Sequence, residues 1–323
     1  MKLVRFGDKG TERAGILGAD NIIRDVSRLV SDWTGATISD DIISRIRSET
    51  LDDFPRIEAN TRLGPPVGNV GKIIGCALTY GKHAQEAGLE TPKEPMFMLT
   101  SRTAINGPFD DVIIPRGGTE LDWEAELVVV LGKGGAYIPV EKAMEHVAGY
   151  CVGNDVSERQ FQLERGTQWT KGKSANTLKP FGPWLVTKDE IPNPNALDIS
   201  IKINDETRQS SNTGDMVFSV AELVSNISQY LTWEAGDIMF TGTPPGVGYG
   251  MKPPLYMKPG DIMEPTIDGL GAHHSKVIAY NEKGEVARTA EFKDGKLIAG
   301  KVRIKGVTYN DPESYMLLIR TDT

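Results

Sequence analysis

Cysteine is nearly absent from this sequence: Cys76 and Cys151 are the only two in 323 residues, far apart and each among apolar neighbours. That count argues against a disulfide framework or a thiolate metal cage, and it fits a reducing cytoplasm. Long apolar runs are missing as well. Nothing approaches the ~18 consecutive apolar residues of a membrane span, and the opening MKLVRFGDKGTERAG meets Arg5, Asp8 and Glu12 before an apolar stretch forms. Neither a spanning segment nor a secretory signal is expected. Basic blocks are the third absence. With a formal net charge of -8 and few basic residues interleaved with aromatics, there is little to displace counterions from nucleic acid, and no such partner is expected. What remains is ordinary globular composition, 39% hydrophobic and 25% charged, enough apolar mass for one large domain and a small one.

The pattern along the chain is mostly that of strands. Residues 1–65 read as a small N-terminal α+β module: short strands in MKLVRFG, AGILGA and NIIRDVS, then a helical stretch, SDDIISRIRSET. Gly and Pro concentrate in LGPPVGNVG, which makes residues 63–71 the candidate linker. From there to residue 280, short apolar segments alternate with Gly, Pro and Asn turns: KIIGCALTY, DVIIP, ELVVVLG, HVAGYCVGN, PWLVT, LDISIKIN, DIMFTGTP and KVIAY. Helical spacing returns in VEKAMEHVA, SERQFQLE and VAELVSNISQYL. The class this implies is sheet-rich mixed α/β with flanking helices. Residues 281–323 read as an added β-hairpin around Asp294-Gly295.

Chemistry enters with ELDWEAELVVVLGK. Glu124 and Glu126 stand two apart, and period-two geometry points both carboxylates to one face. Val128 and Val130 continue that face, while Trp123, Ala125, Leu127 and Val129 form the other, so the far end of the strand reads as buried on both sides. Two anions near a core repel unless a cation intervenes; the alternative is a solvent-facing pair at a sheet edge. Asp155, in GYCVGNDVSERQ, falls where an apolar strand gives way to a helical segment. By itself it reads as a helix N-cap; beside the glutamates it completes an oxygen-only set suited to magnesium, manganese or calcium.

Other residues carry weaker signals. In YGKHAQEAG, His83 and Glu86 are three apart and share a helix face, either as a solvated pair or as a carboxylate-oriented imidazole able to act as a base. Lys173 lies in GKS, which is no phosphate-binding loop, because position 167, where that motif needs Gly, is Thr. TGTPPGVG at 241–248 is by composition a tight loop. His273 and His274 are adjacent on a strand and cannot both serve one site.

Taken in order, DWEAELVVVLGK, AGYCVGNDVSERQ, GKSANTLKPFGPWLVT and DIMFTGTPPGVG resemble the fumarylacetoacetate hydrolase superfamily, over roughly residue 70 to Tyr280. The resemblance implies a β-roll of mixed sheets, a homodimer, and a magnesium or manganese ion on Glu124, Glu126 and Asp155. It implies that Lys173 approaches substrate and metal, that Arg159 and Gln162 stand beside the metal, and that Thr243 offers a hydroxyl or amide to a substrate carboxylate. His83 and Glu86 align with a lid segment whose pair activates water when the lid closes. The reaction so implied is metal-dependent hydrolysis of a C–C bond in a small 2-oxo or 2,4-dioxo carboxylate, an acylpyruvate or a 2,4-diketo-3-deoxy sugar acid, giving a pyruvate-type product. Ureidoglycolate lyase, oxaloacetate decarboxylase, isomerase and hydratase activities use a similar site. An inactive scaffold stabilised by the metal is the alternative of another class.

Overall fold

Apolar segments bounded by turn residues become strands: β1 (Lys2–Phe6), β2 (Arg13–Leu17), β3 (Ile23–Asp25), β4 (Ile73–Ala77), β5 (Met96–Thr100), β6 (Ala125–Leu131), β7 (Val147–Asn154), β8 (Lys179–Thr187), β9 (Asp198–Ile203), β10 (Glu206–Asn212), β11 (Ile238–Phe240), β12 (Ile262–Ile267) and β13 (Ser275–Ile278). Helices are few and short: α1 (Asp40–Arg47), α2 (Gly81–Glu86), α3 (Thr170–Lys173) and α4 (Val220–Ile227). The structure, a computed structural model, describes residues 1–86 and 88–280 and, beyond them, the backbone of four short strands within 290–309. Two of these, Ala290–Lys293 and Lys296–Gly300, pair antiparallel; the Asp294-Gly295 turn lies outside the described residues.

The main sheet has 11 strands in the order β3-β2-β1-β8-β7-β6-β11-β4-β5, with two short strands off this path. It is mixed, since β11 and β4 run parallel while their neighbours are antiparallel. The N-terminal strands join it directly, β1 pairing with β8. A second sheet runs β10-β9-β12-β13 and ends on the short strand Val112–Ile113.

β6 shows why the sheet is stable. Ala125, Leu127 and Val129 pack into the larger core with Trp123, Tyr150 and the isoleucines of β9. Val128 and Val130 face a second core with Trp33, Phe181, Phe240 and the isoleucines of α1. Each such side chain contributes roughly 1.5–3 kcal/mol when fully buried. α4 closes the larger core with Val220, Leu223, Val224 and Ile227, and starts where its sequence says it should: Glu222 N–H donates to Ser219 Oγ at 3.2 Å, and Ser219 N–H donates to Glu222 Oε2 at 2.7 Å.

Three segments depart from their sequence reading. SERQFQLE begins extended, because Ser157–Glu158 pair with Leu121–Asp122, and only Gln160–Glu164 forms a wide helical turn. VEKAMEHVA coils in tight 3-10 turns over Val140–His146 and then enters β7. The Gly- and Pro-rich stretch at 63–71 is largely buried: Leu63–Gly64 pairs with β1, Arg5 Nη1 donates to Pro65 O at 3.2 Å, and Gly68 N–H donates to Trp33 O at 2.7 Å. Among the described residues no helix is long and apolar enough to cross a membrane, and both cysteines are buried and free.

Candidate metal centre and active site

Strand register builds the acidic cluster. β6 and β7 pair antiparallel with Ala125 opposite Asn154. One residue beyond, Asp155 N–H donates to Glu124 O at 2.8 Å, and Glu124 N–H donates to Asn154 Oδ1 at 2.9 Å. Pleating puts Glu124 and Glu126 on one side, and the pairing delivers Asp155 to it. One carboxylate oxygen from each of the three lies within 4.8 Å of the others, and all three residues are buried. Asp155 caps no helix, since an extended pair follows it and the helical turn starts only at Gln160. The solvent-facing reading of Glu124 and Glu126 fails because both are buried.

Three cations surround the acids. Lys173, at the end of α3, donates to Glu124 Oε2 at 2.6 Å and lies 3.3 Å from Asp155 Oδ2. Lys179, fully buried at the start of β8, donates to Asp155 Oδ1. Arg159 Nη1 is 2.8 Å from Glu124 Oε1, and its Nε donates to Asp122 Oδ2 at 2.8 Å. These contacts split the two glutamates. Burial alone would raise Glu124, but Lys173, Arg159 and His83 outweigh it and hold that carboxyl well below the usual range. Glu126 goes the other way: burial, then the negative charges of Asp155 and Glu124, push it well above. Burial likewise opposes the charge on Lys173, which Asp155 and Glu124 restore and raise. On Lys179 burial dominates, and its value falls.

The Gly-rich loop supports this arrangement through its amides. Gly242 N–H donates to Glu126 Oε2 at 2.7 Å; its φ of +96 and the Thr79 hydroxyl, 1.9 Å from where a Cβ would stand, restrict the position to glycine. Gly246 N–H donates to both Glu86 oxygens, at 3.0 and 3.1 Å. Glu86 in turn lies 3.2 Å from His83 Nδ1 across one turn of α2. One loop therefore fixes a carboxylate of the acidic cluster and the carboxylate that orients the imidazole.

Glu124, Glu126, Lys173, His83, Arg159, Gln162 and Thr243 line a common cavity of about 230 Å3. Eight of the nine sequence-selected residues thus reach it or the acidic cluster directly, and Glu86 touches it through His83. Thr243 and Gln162 are held by protein partners as well. Thr243 Oγ1 donates to Ala125 O at 2.9 Å and accepts from Gln209 at 2.7 Å. Gln162 Oε1 accepts from Arg159 at 2.9 Å. Sequence reasoning passed over Lys179, Gly242, Gly246 and Asp122. A lysine directly before PFGPWLV, in an otherwise apolar strand, was the available signal for the first. Asp122 is buried and accepts from Gly248 N–H at 2.7 Å and Tyr249 N–H at 3.0 Å as well as from Arg159. His273, buried against Val152 O and Gly182 O, is lowered to about 4, mainly by burial, and serves the core.

The donor set fits a hard divalent cation. Glu126 Oε1 is buried without a hydrogen-bond partner, beside two further carboxylates; a cation is the group that satisfies such an oxygen and relieves the repulsion.

Mixed sheets around a buried carboxylate trio define the class of protein, and comparison with known proteins gives the family. The fumarylacetoacetate (FAA) hydrolase C-terminal family model matches residues 72–278. A Burkholderia multivorans protein with only a provisional hydrolase name is 47% identical over 272 residues, 84% of this chain and 96% of its own length. Fumarylacetoacetate hydrolase from Exiguobacterium antarcticum superposes with a TM-score of 0.74 at 33% identity, covering 86% of this chain and 99% of that one. Maleylpyruvate hydrolase from Sphingobium sp. SYK-6, solved with manganese(II) and pyruvate, gives 0.71 at 28%, covering 86% and 99%. The 5-carboxymethyl-2-hydroxymuconate delta-isomerase of Mycobacterium smegmatis gives 0.69 at 27%, covering 87% and 100%. The chain belongs to the fumarylacetoacetate hydrolase superfamily, a family of enzymes with hydrolases and isomerases among its members.

Proposed function

We propose that this protein hydrolyses the C3–C4 bond of a 2,4-dioxo carboxylate, releasing a pyruvate-type 2-oxo acid and a carboxylic acid. The observation that carries the reading is a carboxylate-oriented imidazole, His83 with Glu86, lining the same cavity as the acidic cluster. Glu124, Glu126 and Asp155 would hold magnesium or manganese, which when bound supplies Lewis-acid polarisation and a template for the 1-carboxylate and 2-oxo oxygens. His83 takes a proton from water, and the hydroxide adds to the 4-carbonyl. The C3–C4 bond then breaks with its electron pair going to C3, where the proton is returned. Lys173 offsets the negative charge that develops at the 2-oxo end, and Arg159 with Gln162 shapes the wall beside it. Thr243 acts by holding the loop against β6.

The test is a substrate panel with product identification on the manganese-loaded protein. Pyruvate plus the matching acid is the expected outcome, and no turnover of any 2,4-dioxo acid with metal bound would sink the reaction. Similarity to the muconate isomerase favours one second reading, a proton shift in a conjugated 2-oxo acid by the same base; an isomerised product of unchanged mass would identify it. A cytoplasmic homodimer and a division into 1–65, 66–280 and 281–323 belong to the same proposal, with light scattering and limited proteolysis as their respective tests.

A further inference from the structure

The cavity is chemically two-ended. Its deep end is charged: Glu124, Glu126, Arg159 and Lys173, all buried. Its mouth is apolar: Leu89, Met98, Leu163, Trp169 and Tyr249. Three of these are large hydrophobic side chains left exposed to solvent, Leu89 at 44%, Leu163 at 38% and Tyr249 at 40%. Exposed apolar side chains gathered around one opening mark a surface that a ligand covers. Of the polar atoms nearby, Gln162 Oε1 accepts from Arg159, Thr243 Oγ1 is held between Ala125 O and Gln209, and His83 Nδ1 faces Glu86.

Taking the proposed reaction as given, the anionic 1-carboxylate and 2-oxo oxygens belong at the deep end, beside Lys173 and Arg159. The C4 substituent must then run outward past Leu89, Met98 and Leu163. We infer that this enzyme selects 2,4-dioxo acids whose C4 substituent is an alkyl or aryl group, and that it discriminates against the polyhydroxylated chain of a sugar acid. A hydroxyl pressed against Leu89, Met98 and Leu163 gives up its water and gains no partner from them, at a cost of about tenfold in affinity or more for each one. Leu89 and Leu163 are the specificity-determining residues.

Unreactive analogues separate this inference from the reaction itself. Oxamate, N-butyloxamate and N-(2,3-dihydroxypropyl)oxamate share the carboxylate and 2-oxo oxygens, contain no cleavable C3–C4 bond, and differ only in the outward arm. Titrated calorimetrically into the manganese-loaded protein, N-butyloxamate should bind at least tenfold more tightly than the dihydroxypropyl compound. In the doubly substituted Leu89→Gln, Leu163→Gln protein that preference should shrink to threefold or less, with oxamate itself within twofold of the parent. Equal or tighter binding of the dihydroxypropyl arm overturns the inference, as does an undiminished preference in the double variant. If oxamate fails to bind at all, the metal site falls and this inference with it. If the oxamates rank as expected while acylpyruvates survive intact, hydrolysis falls and the apolar arm stands.

Discussion

Two buried clusters of charge among the described residues are built on opposite rules. Near the N-terminal strands, Glu12 sits between Arg5 and Arg62, at 3.3 and 3.0 Å, while Arg5 also grips Asp32 and Arg62 grips Asp110 with two nitrogens at 2.8 and 2.6 Å. Every carboxylate there meets a guanidinium: Asp32 and Asp110 each accept from both nitrogens of a fork, and Glu12 accepts one nitrogen from each of two arginines, the kind of pairing that best repays desolvation. At the end of β6 the acids face one another, the lysines are point charges, and Glu126 Oε1 has no partner. The first cluster is a closed ion-pair network that ties β1 to the segments around it. The second holds an unbalanced arrangement in place and so leaves room for an added cation. Like charges in contact, with one buried oxygen unpaired, distinguish a site from a brace.

That contrast can be broken by substitution. The largest effect is expected from Glu126→Gln: a fall in turnover of at least ~10^3, from loss of the cation's charge stabilisation, with manganese binding abolished in calorimetry. The metal-free melting temperature should hold or rise, because glutamine keeps an acceptor for Gly242 N–H and never has to carry the charge that burial and the neighbouring acids disfavour; a large drop would make Glu126 a brace after all. If turnover survived this substitution and only stability fell, the inactive-scaffold reading would win. His83→Ala should lower kcat by roughly 10^2–10^4 while manganese affinity stays put, since a general base contributes that much to rate and does not touch the cation. Arg62→Met should invert the pattern: about 2–3 kcal/mol lost in denaturant unfolding, discounted for the partial exposure of Asp110, with the metal dissociation constant of the folded protein unchanged. Lys179→Met should tighten manganese about tenfold by removing a competing cation at Asp155; weaker binding would show that the lysine positions Asp155 instead.

The smallest effect is graded with pH. Glu126 in the free protein is raised above its ordinary 4.5, so it keeps its proton as the solution passes that value and must release it to bind a cation. Manganese affinity should therefore climb as pH increases through this window and fall on acidification. The sign for folding is opposite. The unfolded chain ionises Glu126 first, so this group withdraws stability from the metal-free protein as pH rises. The melting-temperature gain on adding manganese should widen over the same interval, and a gain independent of pH would contradict the assignment. Glu124, held below its ordinary range by Lys173, Arg159 and His83 against the cost of burial, contributes stability that is full above its ordinary 4.5 and is lost progressively as the solution is acidified below it.

Much of the site was legible because its signals are local. Glu124 and Glu126 share a face through the pleat, and His83 and Glu86 through a single helical turn, and both relations survive in the structure. Asp155 was legible only together with them, since an Asp after an apolar strand is also a good N-cap. Lys179 was not legible, because nothing local tells a buried lysine before Pro180 from an exposed one; its partner is 24 residues away in sequence. In the same loop as Thr243, the amides of Gly242 and Gly246 bind the Glu126 and Glu86 carboxylates. Backbone donors carry no side-chain signature.

The sequence by itself determined the strand-rich class, the two-sided burial of β6 and the pairing of acids at period two, because these follow from alternation and local geometry. Only the tertiary structure decided that Ala125 stands opposite Asn154, that Lys173 and Lys179 converge on Asp155, and that an apolar mouth opens above them. Those facts are contacts between segments distant along the chain. Which segments meet is set by sheet register and by the burial it optimises across the whole fold, and no local run of residues encodes it.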